Sequence, residues 1–307
     1  MDNLTFRQRL LDGGVLLESD VVGLYHRSFA FESIVRGVEA YVSRSSEVAE
    51  DHRYFFSPYM AKETLVTTGY VRSFPNLVGL VSSFQGTERD APAFTAQLDA
   101  GEDWESSFSS NGLATCSAAC HSLYPLLAHR RIEEAGLVFE VQGTCFRHEP
   151  SEDVARMQSF RQHEFVFVGG PDAALQHRQE WLARADDLLR ALGLGVEIVE
   201  ANDPFFGRAG KMLASGQREK SLKFEVTCPI SSQNPGAIAS GNYHEDHFGV
   251  NFDIRMSNGD VAHSACIGFG LERIALSLLL THGPSLQEWP REVRGLLSLG
   301  ANTDTFP

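Results

Sequence analysis

The chain has 307 residues, a formal net charge of −14 and five cysteines, and these values exclude several classes of protein. Such an acidic chain is unsuited to broad, non-specific contact with nucleic acid or with an anionic membrane. No apolar run approaches the roughly 18 residues needed to span a bilayer, and the N-terminus lacks the apolar core of a secretory signal. Because an odd number of scattered cysteines does not indicate a disulfide framework, we expect a cytoplasmic protein with reduced thiols and no membrane contact.

The predicted elements, taken in chain order, mix helices with paired strands. Residues 1–45 are predicted as a mainly helical segment, since apolar residues recur there at helical spacing. Residues 65–84 are rich in β-branched and aromatic residues, which favours strands on either side of a turn at Pro75 and Asn76. A long helix is predicted over 171–194, and further strands over 137–146, 164–168, 197–201, 223–230 and 248–256. This mixture predicts an α+β fold in which helices flank a largely antiparallel sheet.

Charged side chains stand at the ends of two neighbouring predicted strands in residues 144–168. Arg147 and Glu149 close the first strand, Arg156 lies in the loop, and Glu164 and Phe165 open the second strand. A guanidinium offers two-pronged donors that match a phosphate, and an aromatic ring offers a face for a flat base. Cross-strand ion pairs on an exposed hairpin explain the same charges. The hairpin alone therefore leaves open whether this is a structural ion pair or a site for a charged ligand.

A second motif, GFGLER over 268–273, joins a predicted strand to an apolar helix. Gly268 and Gly270 would let the backbone approach a ligand closely. Arg273 lies on the first helical turn, where a positive charge is unfavourable unless an anion offsets it. Glycine-rich helix starts are common, so this motif indicates an anion site only in combination with the hairpin.

Taken together, FRHE, RQHEF and GFGLER resemble the second and third signature motifs of class II aminoacyl-tRNA synthetase catalytic domains, in order and in spacing. The likeness is closest to seryl-type enzymes, and closer still to their truncated homologues, the amino acid:[carrier-protein] ligases. Residues 202–214 and 242–249 look like that family too. The resemblance covers roughly residues 30–300. It implies one class II synthetase-like catalytic domain over residues 1–307 that forms a homodimer, with no tRNA-binding arm.

The resemblance also implies an ATP site built from the two motifs. Arg147 and Arg273 would be the catalytic residues, because they would stabilise the charge that develops on the transferred phosphate. Phe165 would stack on the adenine ring. The other implied ATP contacts are Glu149, Arg156, Met157, Ala239 and Ser240. The implied reaction activates glycine or alanine with ATP and Mg²⁺ to an aminoacyl-adenylate, then transfers it to the phosphopantetheine thiol of a carrier protein.

Some members of this superfamily hold zinc with two cysteines and a glutamate. Glu164 and Cys266 match two of those positions, and Cys120 is favoured over Cys116 for the third because Tyr124 and Pro125 follow it shortly. Three protein ligands leave a fourth zinc position open, which the amino group of the substrate would fill beside Glu164. The alternative is that both cysteines are small buried core residues.

A basic insertion is predicted over residues 202–223. Between Phe205 and Lys223, five basic residues face a single acid, Glu219: Arg208, Lys211, Arg218, Lys220 and Lys223. Opposite charges would help to dock an acidic carrier protein, although a solvated surface explains the same run.

Two other functions stay open at this stage. One is a small synthetase that still charges tRNA, either alone or with a separate partner. We expect no tRNA partner, because the resemblance implies no tRNA-binding arm. The other is a non-catalytic paralogue that binds an amino acid or a nucleotide for regulation. The intact Arg147, Glu149 and Arg273 argue against the second, because a degenerate sensor has little need of them.

Overall fold

The computed structural model describes residues 3–203, 206, 220–231 and 235–300. In chain order the strands are β1 (Leu16–Glu18), β2 (Tyr25–Arg27), β3 (Arg53–Phe56), β4 (Tyr59–Ala61), β5 (Leu80–Phe84), β6 (Phe108–Thr115), β7 (Arg131–Ile132), β8 (Leu137–Phe146), β9 (Ser159–Gly169), β10 (Glu197–Glu200), β11 (Lys223–Pro229), β12 (Pro235–Glu245), β13 (Arg255–Met256) and β14 (His263–Gly270). The helices are α1 (Asn3–Asp12), α2 (Phe29–Arg44), α3 (Lys62–Thr67), α4 (Tyr70–Ser73), α5 (Ala91–Asp99), α6 (Tyr124–Leu127), α7 (Pro171–Ala191), α8 (His247–Asn251), α9 (Leu271–His282) and α10 (Arg291–Leu296). Among these helices, none is both long and apolar enough to cross a membrane.

A seven-stranded sheet forms the centre of the molecule, in the order β10-β11-β12-β14-β9-β8-β3. Neighbouring strands pair antiparallel, except that β3 runs parallel to β8 at one edge. A separate three-stranded sheet has the order β4-β6-β5. This architecture confirms the predicted α+β fold with a largely antiparallel sheet flanked by helices.

Helices α2, α7 and α9 cover one face of the central sheet. Helix α2 begins where Ser28 Oγ accepts a hydrogen bond from the Phe31 N–H at 3.2 Å, and its apolar stripe is buried. Helix α7 begins at Pro171 and ends before Gly193, whose φ of 81° suits glycine. The side chains of these helices and of the sheet form the main hydrophobic core.

The pleat of β9 decides which side chains face the helices and which face the opposite side. Glu164 stands opposite Gly268 of β14, and Phe165 stands opposite Ile267. Since successive side chains of a strand alternate, Glu164 and Phe165 point to opposite faces. Phe165 packs in the helix-side core, where its ring stacks on Trp181 at a centroid distance of 3.8 Å. Glu164 therefore faces the side of the sheet that the helices leave open.

Three predicted segments differ from the structure. Residues 16–27 interrupt the N-terminal helical segment with the hairpin β1–β2. Residues 65–84 contain α3, α4 and only one strand, because Leu65, Tyr70 and Leu77 bury together against the small sheet. Residues 248–256 begin as helix α8 rather than as a strand. The difference follows from packing on Tyr124. Phe248 and Phe252 both stack on the Tyr124 ring, and a helical turn brings residues four apart to the same face.

Four charged side chains form an ion cluster between β9, α2 and α9. Arg161 Nη1 and Nη2 donate to the two carboxylate oxygens of Glu32, each at 2.8 Å. Its Nε donates to Glu272 at 2.8 Å, and its backbone N–H donates to the same carboxylate at 2.6 Å. Arg27 adds a second guanidinium 3.5 Å from Glu272. The cluster thereby ties the beginning of α9, which carries Arg273, to the sheet and to α2.

A second polar cluster surrounds Glu140, whose side chain is 2% exposed. Its carboxylate accepts from His163 Nε2 at 2.9 Å and from Ser43 Oγ at 2.6 Å, and Arg53 Nε lies 3.3 Å away. Burial raises the pKa of Glu140, but the hydrogen bonds from His163 and Ser43 outweigh burial and hold that pKa below its usual value. The ionised carboxylate is thus the form that joins α2 to β8 and β9.

We expect Glu140→Gln to reduce the free energy of unfolding at pH 7 by about 3 kcal/mol, because it removes one partner of a buried pair. A lowered folded-state pKa contributes stability above the unfolded value of about 4.3 and loses it as pH falls further. The difference between the two proteins should therefore narrow only below that pH. Urea unfolding across pH 3.5–7 measures this. Exposed Glu133→Gln is the control, and an equal loss in the control would contradict the assignment.

Candidate functional site

A cleft of about 650 Å³ opens on the face of the central sheet opposite the helices. Strands β9, β11, β12 and β14 form its floor, and α4 forms part of its wall. All but one of the site residues predicted from the sequence line this cleft: Cys120, Arg147, Glu149, Arg156, Met157, Glu164, Ala239, Ser240, Cys266 and Arg273. Residues from five separate segments thus meet in one place.

Guanidinium groups define one end of the cleft. Arg273 Nε and Nη1 donate to the carbonyl oxygens of Ala155 at 2.8 Å and Ala237 at 3.0 Å, which leaves Nη2 without a partner in the described part of the chain. Burial lowers the pKa of Arg273, and the like charge of Arg147 lowers it further. An anion between the two guanidiniums would relieve that repulsion. This end of the cleft therefore suits a phosphate or a carboxylate.

The hairpin of residues 144–168 also contains an ion pair, as a purely structural interpretation of its charges requires. Arg156 Nη1 donates to Glu149 at 2.9 Å across the mouth of the loop. Both side chains are about half exposed, so the pair contributes little to stability by itself. A polyphosphate could draw Arg156 away at small cost. The two interpretations of the hairpin are therefore compatible.

The prediction that Phe165 supports a base is wrong, because its ring is fully buried on the helix face of the sheet. Phe160 is the aromatic residue of β9 that lines the cleft. The Arg147 guanidinium lies 5.3 Å from the centre of its ring. Side chains two residues apart on a strand point to the same face, so Phe160, Gln162 and Glu164 share one face. This spacing identifies Phe160 from the sequence as a residue on the same face as Glu164.

Three metal-ligating groups meet at the other end of the cleft. The ligand atoms of Cys120, Glu164 and Cys266 lie within 4.8 Å of one another, and all three side chains are buried. The backbone N–H of Cys120 donates to Glu164 at 3.2 Å. A Cβ at Gly268 would lie 3.3 Å from Glu164 Cγ, so glycine keeps space beside the cluster. Cys116 lies outside this group, packed with Cys145 against the small sheet.

The acid–base properties of the three ligands fit a bound cation. Burial raises the pKa of Glu164 to about 8, and the negative charge of Cys266 contributes to the shift. A hydrogen bond from Cys120 and the nearby His244 lower the pKa of Cys266, while the pKa of Cys120 is raised by the same thiol contact and by burial. Three acidic groups this close cannot all ionise without a cation among them. Two thiolates and one carboxylate are the donor set of a zinc site with an open position.

Large polar and aromatic side chains enclose the end of the cleft that contains Cys120, Glu164 and Cys266. His244 Nε2 lies 3.6 Å from Cys266 Sγ, and Asn242 Nδ2 lies 3.7 Å from the same sulfur. Phe248 packs edge-on to His244 at 5.0 Å between ring centres and tilted to His121 at 5.9 Å. Burial lowers the pKa of His121 to about 3, so this histidine is neutral. Little room remains beside the cluster for a large ligand.

Most of the predicted basic insertion over 202–223 lies outside the described residues. Lys220 and Lys223 are described, and both line the cleft. Lys220 Nζ donates to Glu245 at 3.0 Å, and Lys223 Nζ pairs with Asp203 at 2.5 Å and with Glu225 at 3.2 Å. These two lysines thus pair within the chain, and the other basic residues of the predicted insertion, Arg208, Lys211 and Arg218, lie outside the described residues.

The fold is that of a class II seryl-tRNA synthetase catalytic domain. The solved structure of Methanopyrus kandleri SerRS in complex with A. aeolicus tRNASec superposes with a TM-score of 0.82 at 19% identity. The match covers 95% of this chain and 60% of that one. No protein-family model matches the chain.

Two curated relatives from Bradyrhizobium diazoefficiens are far more similar in sequence. Amino acid--[acyl-carrier-protein] ligase 1 is 42% identical over 279 residues, covering 90% of this chain and 85% of the relative. Amino acid--[acyl-carrier-protein] ligase 2 is 43% identical over 284 residues, covering 92% and 84%. The chain belongs to the amino acid--[acyl-carrier-protein] ligase family, as the resemblance of its motifs predicts.

Proposed function

We propose that this protein uses ATP to activate a small amino acid, glycine or alanine, and transfers it to the phosphopantetheine thiol of a carrier protein. The observation that carries the proposal is one cleft with two chemically different ends. Guanidinium groups that suit a phosphate stand at one end, and three groups that could hold a metal ion stand at the other. The two Bradyrhizobium relatives, whose names state this class of reaction, support it.

The first step joins the two ends of the cleft. A carboxylate oxygen of the amino acid attacks the α-phosphorus of ATP, the bond from that phosphorus to the bridging oxygen breaks, and pyrophosphate leaves. Arg147 and Arg273 stabilise the charge that develops on the phosphoryl oxygens, so catalysis consists of positioning and electrostatics. Glu149 and Glu225, which line the same end, are the carboxylates available to the Mg²⁺ that accompanies ATP.

The second step transfers the activated acyl group. The sulfur of the phosphopantetheine arm, having lost its proton, attacks the carbonyl carbon of the adenylate. The bond from that carbon to the phosphate oxygen breaks, and AMP leaves with the electron pair. A thioester on the carrier protein is the product. No side chain of this protein becomes covalently attached in either step.

Zinc is the metal that we assign to Cys120, Glu164 and Cys266. When bound, it would supply a Lewis-acidic position for the amino group of the substrate. His121, Asn242, His244 and Phe248 enclose this end of the cleft and support a preference for a small side chain. Each additional methylene is discriminated only weakly by size, so glycine and alanine would compete.

A homodimer is the assembly that we propose. Strand β3 leaves one edge of the central sheet without a described neighbour. Phe55 of that strand is 76% exposed, and Tyr59, Leu80 and Leu113 expose apolar surface on the adjacent small sheet. An open edge next to exposed apolar side chains is a surface that a second copy would cover.

One assay tests the function. Purified protein is offered each amino acid with ATP and labelled pyrophosphate, and a holo-carrier protein and bulk tRNA are then tested as acceptors. We expect exchange with glycine or alanine and loading of the carrier protein alone. The fold neighbour in complex with tRNA makes tRNA the competing acceptor, and loading of tRNA alone would overturn the proposal. Absence of amino-acid-dependent exchange would favour a regulatory, non-catalytic paralogue.

The two phenylalanines of β9 provide a matched pair for the adenine site. Phe160→Ala should raise the KM for ATP about tenfold or more, because a base loses its stacking surface worth about 1–3 kcal/mol. Phe165→Ala should instead lower the free energy of unfolding by about 3–5 kcal/mol, as expected for a fully buried ring. Pyrophosphate exchange and urea unfolding of both variants measure these effects. If Phe165→Ala raised the KM for ATP and Phe160→Ala only lowered the free energy of unfolding, Phe165 would be the residue that stacks on the base.

A further inference from the structure

Tyr70, the first residue of α4, carries a hydroxyl group with no hydrogen-bond partner among the described residues. Five buried side-chain atoms in the described part of the chain lack a partner: Arg27 Nε, Tyr70 Oη, Arg147 Nε, His163 Nδ1 and Arg178 Nε. Of these residues, only Tyr70 and Arg147 line the cleft. An unpaired buried donor costs free energy unless a ligand or water satisfies it. Two such donors in one cleft indicate a common anionic acceptor.

The ring of Tyr70 is held in place by its neighbours. It is 8% exposed and packs 5.0 Å from the Phe74 ring and 5.7 Å from the His121 ring, measured between centres. After burial, which raises the pKa of the Tyr70 hydroxyl, the charge of Arg147 is the largest influence on that group. The hydroxyl therefore keeps its proton and can act as a donor in the cleft that Arg147 also lines.

The position of Tyr70 between the two ends of the cleft identifies the acceptor. His121, which the ring contacts, follows the metal ligand Cys120, and Arg147 Nη2 donates to the Ser117 carbonyl in the same segment at 3.4 Å. In an α-amino acid, the carboxylate lies only two bonds from the amino nitrogen. An amino group held at Cys120, Glu164 and Cys266 thus puts its carboxylate near this segment.

We propose that the Tyr70 hydroxyl is a substrate-binding donor that hydrogen-bonds the carboxylate of the amino acid beside Arg147. This inference rests on the proposed function. Before attack, the carboxylate would be oriented by two donors from different segments, α4 and the loop that follows β8. The α-phosphate of ATP is the other anion that Arg147 could hold, so the test must separate the two oxygen groups.

Tyr70→Phe tests the inference because it removes only the hydroxyl. We expect the KM for the amino acid in pyrophosphate exchange to rise about 10- to 100-fold, as for loss of a hydrogen bond to a charged group. The KM for ATP should stay within twofold. The unfolding temperature without ligands should be unchanged or higher, because the variant no longer buries an unpaired hydroxyl. Calorimetric titration with the amino acid alone should show the same weakening.

The control is Tyr41→Phe. The Tyr41 hydroxyl donates to the Leu188 carbonyl at 3.4 Å, outside the cleft, so its removal should leave both KM values unchanged. A higher KM for ATP in Tyr70→Phe would move the contact to the phosphate and overturn the assignment. A clear loss of stability, or unchanged kinetics, would overturn it as well. Absence of exchange by the unmodified protein would overturn the proposed function and this inference together, whereas normal exchange by both proteins would overturn the inference alone.

Discussion

Cys120→Ser is expected to abolish zinc binding and to lower amino-acid activation by more than about 100-fold. Loss of an outer-shell partner already costs about 10–100-fold in metal affinity or activity, and loss of one of three protein ligands removes more. Cys120 is buried, and its sulfur belongs to the described group of ligand atoms that lie within 4.8 Å of one another, so its loss leaves only Glu164 and Cys266 of that group. Elemental analysis of the purified protein and amino-acid-dependent pyrophosphate exchange measure the two effects.

Cys116→Ser is the matched control, because Cys116 is also fully buried and lies only four residues earlier. Its thiol contacts the Ala118 carbonyl at 3.2 Å and belongs to the core of the small sheet, away from Glu164 and Cys266. This variant should retain zinc at one ion per chain and should activate the amino acid normally. Loss of zinc from Cys116→Ser, or its retention by Cys120→Ser, would contradict the ligand assignment.

Arg273→Lys is expected to reduce the rate of adenylate formation about 10³-fold while leaving the fold intact. Arg273 is fixed by hydrogen bonds to the Ala155 and Ala237 carbonyls, and its side chain lines the cleft. A lysine ammonium is a point charge that cannot make both fixed hydrogen bonds and reach the phosphate. Removal of one preorganised donor costs about 10²–10³-fold, and loss of an arginine from phosphoryl transfer costs about 10³–10⁵-fold.

Single-turnover measurements with saturating ATP and amino acid isolate this step. The control is Arg190→Lys on the surface of α7, where the guanidinium pairs with Asp186 at 2.7 Å. We expect normal rates from the control and unchanged circular dichroism from both variants. A rate within tenfold of the unmodified protein for Arg273→Lys would show that Arg273 serves structure rather than catalysis.

Sequence motifs predict the fold and ten of the residues that line the cleft. Arg147, Arg273 and the three metal-ligating residues come from motifs in which residue type and spacing are tied to position. Phe165 is the aromatic residue nearest to the motif, but the pleat of the strand turns its ring into the core. Phe160 lies four residues before Glu164 and therefore on the same face of the strand, so its position in the cleft follows from the sequence.

Other features depend on tertiary packing that no local pattern contains. Tyr70 enters the cleft because α4 packs against the small sheet, and neither its spacing nor its neighbours in the chain indicate that contact. Residues 248–256 alternate like a strand, yet Phe248 and Phe252 stack on Tyr124 and stabilise a helical turn instead. Burial against a specific partner outweighs a local propensity of less than about 1 kcal/mol per residue.

The ion cluster around Arg161 restricts how the sequences of this family can diverge. Arg161 makes two hydrogen bonds to Glu32 and two to Glu272, and Arg27 completes the charge balance. Neutralising one member leaves an uncompensated charge at a cost of about 3–5 kcal/mol, whereas replacing partners together with apolar residues can be nearly neutral. Substitutions at these positions are therefore epistatic. Among relatives that differ from this chain at more than half of their aligned positions, the cluster should be inherited as a set or exchanged as a set.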